Sequence, residues 1–135
     1  MIKMEEPPVG QKISRIRKLA GDDAMKIFGG LGGMFFLEEL QRGAVGTMTG
    51  FAYPEVLIEI YNRYASGDHA GAAAVFDRYC PLIRYEFQPK IGLALRKYIY
   101  QQRGAIRRDP RRRRNFRPCG EWAYRGSGST APMLP

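Results

Sequence analysis

Apolar residues recur at helical spacing along most of the chain. Ile13, Ile16 and Leu19 line one face of residues 11–20, with Arg15, Arg17 and Lys18 largely outside it. Gly21 follows as a left-handed cap that stops this helix. Residues 34–41 predict a short helix that Gly43 ends. Pro54 stands where a first helical residue would, and Val56, Leu57, Ile60, Tyr61 and Tyr64 then share a face until Ser66 and Gly67 break it. Asp68 predicts the N-cap of a long helical region in which Ala70, Ala73, Ala74, Phe76 and Tyr79 keep the period. Pro81 and Pro89 are expected to kink or divide that region. Residues 91–103 form a last helix with Ile91, Leu95, Tyr98 and Ile99 on one side. Between these helices lie short runs of strand length at residues 1–4, 24–28 and 44–48.

Pro7 and Pro8 hold residues 5–10 in a loop, since neither can donate to a ladder. Gly29, Gly30, Gly32 and Gly33 make a tight turn after the second strand. The spacing FGGLGG is not that of a dinucleotide fingerprint, and no acidic ribose ligand follows at the usual distance. Strands that alternate with helices imply parallel βαβ units and an α/β fold. Two or three short parallel strands cannot cover both of their faces and both of their edges. The pattern therefore asks for a partner surface.

Residues 107–135 are of another kind. They have no apolar period and are crowded with Arg, Pro, Gly and Ser, which predicts a disordered basic tail. From residue 104 onward there are eight arginines against Asp109 and Glu121, so six of the nine net positive charges lie there. The body is only mildly basic. Any Arg-rich tail meets polyanions weakly, so Arg111, Arg112, Arg113 and Arg114 with Phe116, Trp122 and Tyr124 do not by themselves make nucleic acid a partner.

Composition removes several classes. The chain has 135 residues and 44% hydrophobic content, which suits one globular unit and is too apolar for a wholly disordered chain. Cys80, Cys119 and the single His69 lack metal-ligand spacing, so no metal site and no disulfide framework are expected. Cys80 reads as a small buried hydrophobe. No apolar run reaches membrane length and no leader pattern opens the chain, which makes a cytoplasmic location the expectation.

Three stretches carry a resemblance. Ile2 and Lys3 end a strand before an acidic, Pro-containing loop. Residues 27–33 read IFGGLGG, and residues 39–53 read ELQRGAVGTMTGFAY. In this order and at this spacing they resemble the second half of the dihydrodipicolinate synthase and N-acetylneuraminate lyase family, from residue 2 to about residue 106. The pattern E-L-x-x-G-A-x-G-x-M-x-G is the most specific part. The resemblance implies a partial (half) TIM (β/α)₈ barrel over residues 1–67. A C-terminal helical extension over 68–106 and the tail over 107–135 follow. A complete barrel needs roughly 250 residues.

The resemblance also implies a carbon–carbon lyase, aldolase or dehydratase without cofactor. In that family a lysine condenses with the keto group of a 2-oxo acid such as pyruvate. Lys3 stands in its place as catalytic nucleophile, and Gly29 and Val45 stand where backbone groups approach the substrate. Such a lysine must attack as the neutral amine. The family's earlier strands have no counterpart here. With them go the hydroxyl pair that binds the substrate carboxylate and a proton-relaying tyrosine, whose motif Tyr53, Tyr61 and Tyr64 do not match.

A chain end two residues from Lys3 is expected to fray and leave its amine solvated. The chain alone is therefore expected to be inactive. One alternative is a half-enzyme completed by an N-terminal half-barrel, and another is a nucleic-acid-binding protein acting through its tail. The aromatic run from Phe76 to Tyr100 is expected to pack between helices, and its uncovered part to favour homo-oligomerisation.

Overall fold

The computed structural model describes residues 1–21 and 25–107. The expected basic tail thus lies, but for Arg107, outside the described residues. Three parallel chain segments lie side by side under a layer of helices. Strand β1 (Ile2–Lys3) pairs in parallel with β2 (Ile27–Phe28), with Ile2 opposite Ile27 and Lys3 opposite Phe28. Helix α1 (Val9–Ala20) makes the crossover between them. It begins two residues earlier than its apolar spacing suggests, because Pro8 is extended and its carbonyl accepts the Lys12 N–H at 3.2 Å. The chain end does not fray as expected. The Ile2 N–H donates to the Lys26 carbonyl at 2.9 Å and the Met4 N–H to that of Phe28 at 2.7 Å, and Met4 is buried.

The third expected strand, residues 44–48, is reduced to one bridge between Gly29 and Thr47. The reason is register. The Val45 N–H reaches the Ile27 carbonyl at 2.8 Å, where a continuous ladder in step with the Gly29–Thr47 bridge needs that of Gly46. The slip of one residue is taken up at Gly46, and beyond it the pairing is regular.

Helix α2 (Phe36–Gln41) follows a short 3₁₀ turn at Leu31–Gly33, and α3 (Pro54–Ala65) starts at Pro54 as its fixed φ favours. Helix α4 (His69–Glu86) starts where Asp68 accepts the Gly71 N–H at 2.9 Å. It runs through Pro81 without dividing. Phe76 and Ile83 on either side of the proline are both in the core, and Pro81 faces solvent. Pro89 does separate α4 from α5 (Gly92–Gln102).

Two apolar clusters hold these elements. Met4, Val9, Ile13, Ile27 and Ala44 join α1 to the sheet. Phe36, Leu37, Leu40, Phe51, Val56, Leu57, Ile60, Phe76 and Ile83 join α2, α3 and α4. Burying one such side chain contributes about 2 kcal/mol. Helix α5 is different. Its expected apolar face is only partly covered, with Ile91 and Tyr98 exposed, and Gly92 is its one buried residue. Polar contacts attach it instead. The sheet is likewise covered on one side only. Ile27 and Ala44 meet α1, while Lys3, Val45 and Met48 remain open among the described residues. No helix among the described residues is long and apolar enough to cross a membrane.

Candidate active site at the end of the parallel strands

Lys3 is the last residue of β1. The Lys3–Phe28 register sets it beside the strand end that leads into Gly29 and the glycine turn. Its side chain is 37% exposed and its Nζ lies 2.9 Å from Glu5 Oε1. Glu5 also accepts the Leu31 N–H at 3.4 Å. One carboxylate therefore ties the lysine to the glycine turn. The Lys3 ammonium beside it holds the Glu5 carboxyl below its ordinary value, with the Leu31 amide adding to the effect.

Gly29 and Val45 lie on the two segments next in order, so the fold brings all three expected site residues to one end of the sheet. Gly29 is more committed than the sequence suggests. Its N–H donates to the Gly46 carbonyl at 2.9 Å and its carbonyl accepts the Met48 N–H at 3.0 Å. Only the second lone pair of that carbonyl is left to meet a substrate. Val45 is 38% exposed on the open side.

Glycine is required at position 29 by what lies behind it. A Cβ there would stand 1.6 Å from Glu39 Oε2 and 2.2 Å from Glu39 Cδ. Glu39 is wholly buried on α2, and neither of its carboxylate oxygens has a hydrogen-bond partner among the described residues. Burial pushes its pKa up to about 7, the Glu38 charge adds to this, and the nearby Gly30 amide opposes it from outside hydrogen-bonding geometry. Thr47 Oγ1 is also buried without a partner. Bridged residues project to the same face of a sheet, so Thr47 and the space filled by Glu39 lie on the helix-covered side.

Residues 49–53 leave the sheet at this same end and are clamped from α4 and α5. The Ala52 N–H donates to both oxygens of buried Glu86, at 3.1 and 3.0 Å, and Arg96 Nε pairs with Glu86 at 2.7 Å. The Tyr100 hydroxyl donates to the Phe51 carbonyl at 3.2 Å. Arg103 donates to the Ala52 carbonyl, pairs with Glu55 at 2.7 Å and covers the Tyr53 ring at 4.9 Å. Tyr53 is thus a packing residue. Tyr61 is exposed on α3, and Tyr64 stands edge-on to His69 at 4.4 Å.

Sequence reasoning missed Glu5, Glu39 and the Glu86–Arg96 pair. A helical projection reveals one of them, because Glu39 falls on the arc of Phe36 and Leu40 while Glu38 falls opposite.

No family model matches the chain. L-2-keto-3-deoxyarabonate dehydratase from Azospirillum brasilense is 29% identical over 104 residues, which are 77% of this chain and 33% of that protein. Dihydrodipicolinate synthase from Rhodopseudomonas palustris matches in structure with a TM-score of 0.72 and 36% identity, over 81% of this chain and 39% of that one. The chain spans between a third and two fifths of the length of these relatives.

Proposed function

Because the chain belongs to the dihydrodipicolinate synthase and N-acetylneuraminate lyase family, over a part of that family's length, we propose that it carries the lysine half of a Schiff-base lyase site. In this reading Lys3 condenses with the keto carbon of a 2-oxo acid such as pyruvate. The observation that carries it is the position of Lys3. It ends β1 at the strand end that bears Gly29 and the glycine turn, where active sites of parallel (β/α) barrels lie. The dehydratase relative is consistent with such a substrate, since a 2-keto-3-deoxy acid is itself a 2-oxo acid.

The chemistry runs in three balanced steps. Lys3 first gives up a proton, and its amine adds to the keto carbon to form a carbinolamine. The carbinolamine then takes up a proton and loses water to leave a protonated imine. That cationic nitrogen draws electrons from the neighbouring carbon, which eases cleavage or formation of a bond one carbon further on. In this reading the clamped loop at residues 49–53, which follows the third segment at the same strand end, borders the site. The open side of the sheet, carrying Val45 and Met48, is where further barrel strands would lie. Without them, substrate-carboxylate binding and proton relay are lacking, so the 135 residues alone would form an imine slowly and not turn over.

Borohydride reduction in the presence of pyruvate tests this reading. A reduced adduct mapped to Lys3 by peptide mass is the expected result. Its absence, where a full-length relative is labelled under the same conditions, would remove Lys3 from the role. Glu5→Gln should raise the fraction trapped at a fixed pH by roughly twofold to threefold, the scale of an exposed ion pair. An unchanged yield would mean that Glu5 does not restrain the lysine.

A further inference from the structure

Glu39 has no part in the chemistry above, yet it is the one fully buried ionisable side chain among the described residues with no partner for either oxygen. Buried Glu86, by contrast, is held by Arg96 and the Ala52 N–H. Glu39 is also placed against the site's backbone. Its carboxyl fills the space where Gly29 would carry a side chain, and Gly29 is the residue through which residues 44–48 are bridged to β2. Thr47, the other member of that bridge, buries a hydroxyl without a partner on the same side. We propose that Glu39 is a positioning residue: its carboxyl, walled in behind the Gly29–Thr47 bridge, holds the 44–48 segment and the loop beyond it at the strand end that carries Lys3. The inference rests on the Schiff-base reading only for the importance of that strand end. The bridge and its support can be read without it.

The physical reason is the cost of charge in that place. A neutral carboxyl packs there as a compact polar group, whereas a carboxylate without a donor carries a large desolvation penalty. Ionisation therefore favours any state in which the bridge parts and water reaches the acid. The charged groups of the elements around it do not relieve this. Glu38 on the same helix adds like charge. Glu5 lies against Gly30 and is engaged by Lys3. Arg42, just past the end of α2, donates to Ser14, and Arg17 of α1 donates to the Gly43 carbonyl. Glu86 of α4 is engaged by Arg96. Lys3 of β1 and Lys12 of α1 pair with Glu5 and Glu6.

The sign follows from linkage. The folded pKa, about 7, lies above the ordinary value of 4.5, so the stabilisation is fully present below about pH 4.5. It is lost as pH rises through about 7 and changes little above that. The opening constant of the bridge should therefore rise by on the order of a hundredfold between pH 5 and 7.5 and then level off.

Hydrogen–deuterium exchange on the full 135-residue chain, corrected for intrinsic pH dependence, reads this directly at the Gly29 and Met48 amides. These are the donors across the bridge. The expected result is loss of protection over that pH window at these two amides, with α3 and α4 amides changing less. Glu39→Gln, which keeps shape and removes the titration, should abolish the pH dependence while the bridge remains protected. Protection that is independent of pH in the unaltered chain, or a pH dependence that survives in Glu39→Gln, would overturn the proposal. If Glu39→Gln fails to fold, Glu39→Met supplies an uncharged side chain of similar length and is judged by the same exchange. A chain that passes the exchange test but gives no borohydride adduct at Lys3 counts against the Schiff-base reading alone.

Discussion

Arg96→Ala should lower the unfolding free energy by about 3 kcal/mol, the scale of stranding one charge of a buried pair. Glu86 is 1% exposed and Arg96 supplies the only cation on it among the described residues, at 2.7 Å. Removing Arg96 leaves a buried carboxylate facing one backbone N–H. The converse change is milder. In Glu86→Leu the Arg96 side chain, 23% exposed, can turn toward solvent. The remaining penalty is the Ala52 amide left without an acceptor, about 1 to 3 kcal/mol. The ranking is the test, since two denaturant melts suffice to compare the variants. Equal losses, or a larger loss for Glu86→Leu, would mean that the pair acts as packing and not as a buried charge. Exchange at the Ala52 amide should rise in both, because Glu86 accepts that amide and Arg96 in turn holds Glu86.

That clamp marks the limit of what the sequence discloses. Helix α3 and the start of α4 are legible almost to the residue, because Pro54, Ser66, Gly67 and Asp68 are local signals that need no tertiary partner. The seat of Lys3 and the glycine turn is legible too, through the spacing of the motifs that carry the family resemblance. What escapes depends on distant pairs. Glu86 meets Ala52 across 34 positions, a pairing that no local pattern discloses even though Glu86 follows Ile83 at helical spacing. Of the kink or division expected at Pro81, the division does not occur, because the packing of Phe76 and Ile83 on either side holds α4 together. The apolar face expected on α5 is partly exposed, because that helix docks through its polar residues. The strand expected at residues 44–48 shrank to one bridge because a register slip cannot be read from alternation over five residues. Lys3, expected at a fraying end, is pinned by two backbone hydrogen bonds whose acceptors lie on residues 26 and 28.

Gly29→Ala is expected to cost about as much as Arg96→Ala. The backbone at this position does not demand glycine, for it has no left-handed φ of the kind that Gly32 adopts at 71° and Gly33 at 83°. Space alone forbids a side chain. One methyl group would overlap the Glu39 carboxyl at 1.6 Å, and because Glu39 is wholly buried its acid group must be displaced within the packed interior or α2 must open from the sheet. Overpacking of this kind costs about 3 kcal/mol and distorts the bridge on which the 44–48 segment depends. The second substitution makes the argument decisive. Glu39→Ala vacates the space and removes an unpartnered buried acid. The double variant Gly29→Ala with Glu39→Ala should therefore be more stable than Gly29→Ala alone, with a coupling of about 2 kcal/mol in a double-mutant cycle. Additive losses would show that the two side chains do not compete for one volume. A Gly29→Ala chain within about 1 kcal/mol of the parent would show that Glu39 has somewhere else to go. Either result would also release Gly29 from the packing constraint, leaving close approach of a substrate to its carbonyl as the remaining reason for a residue without a side chain at this strand end.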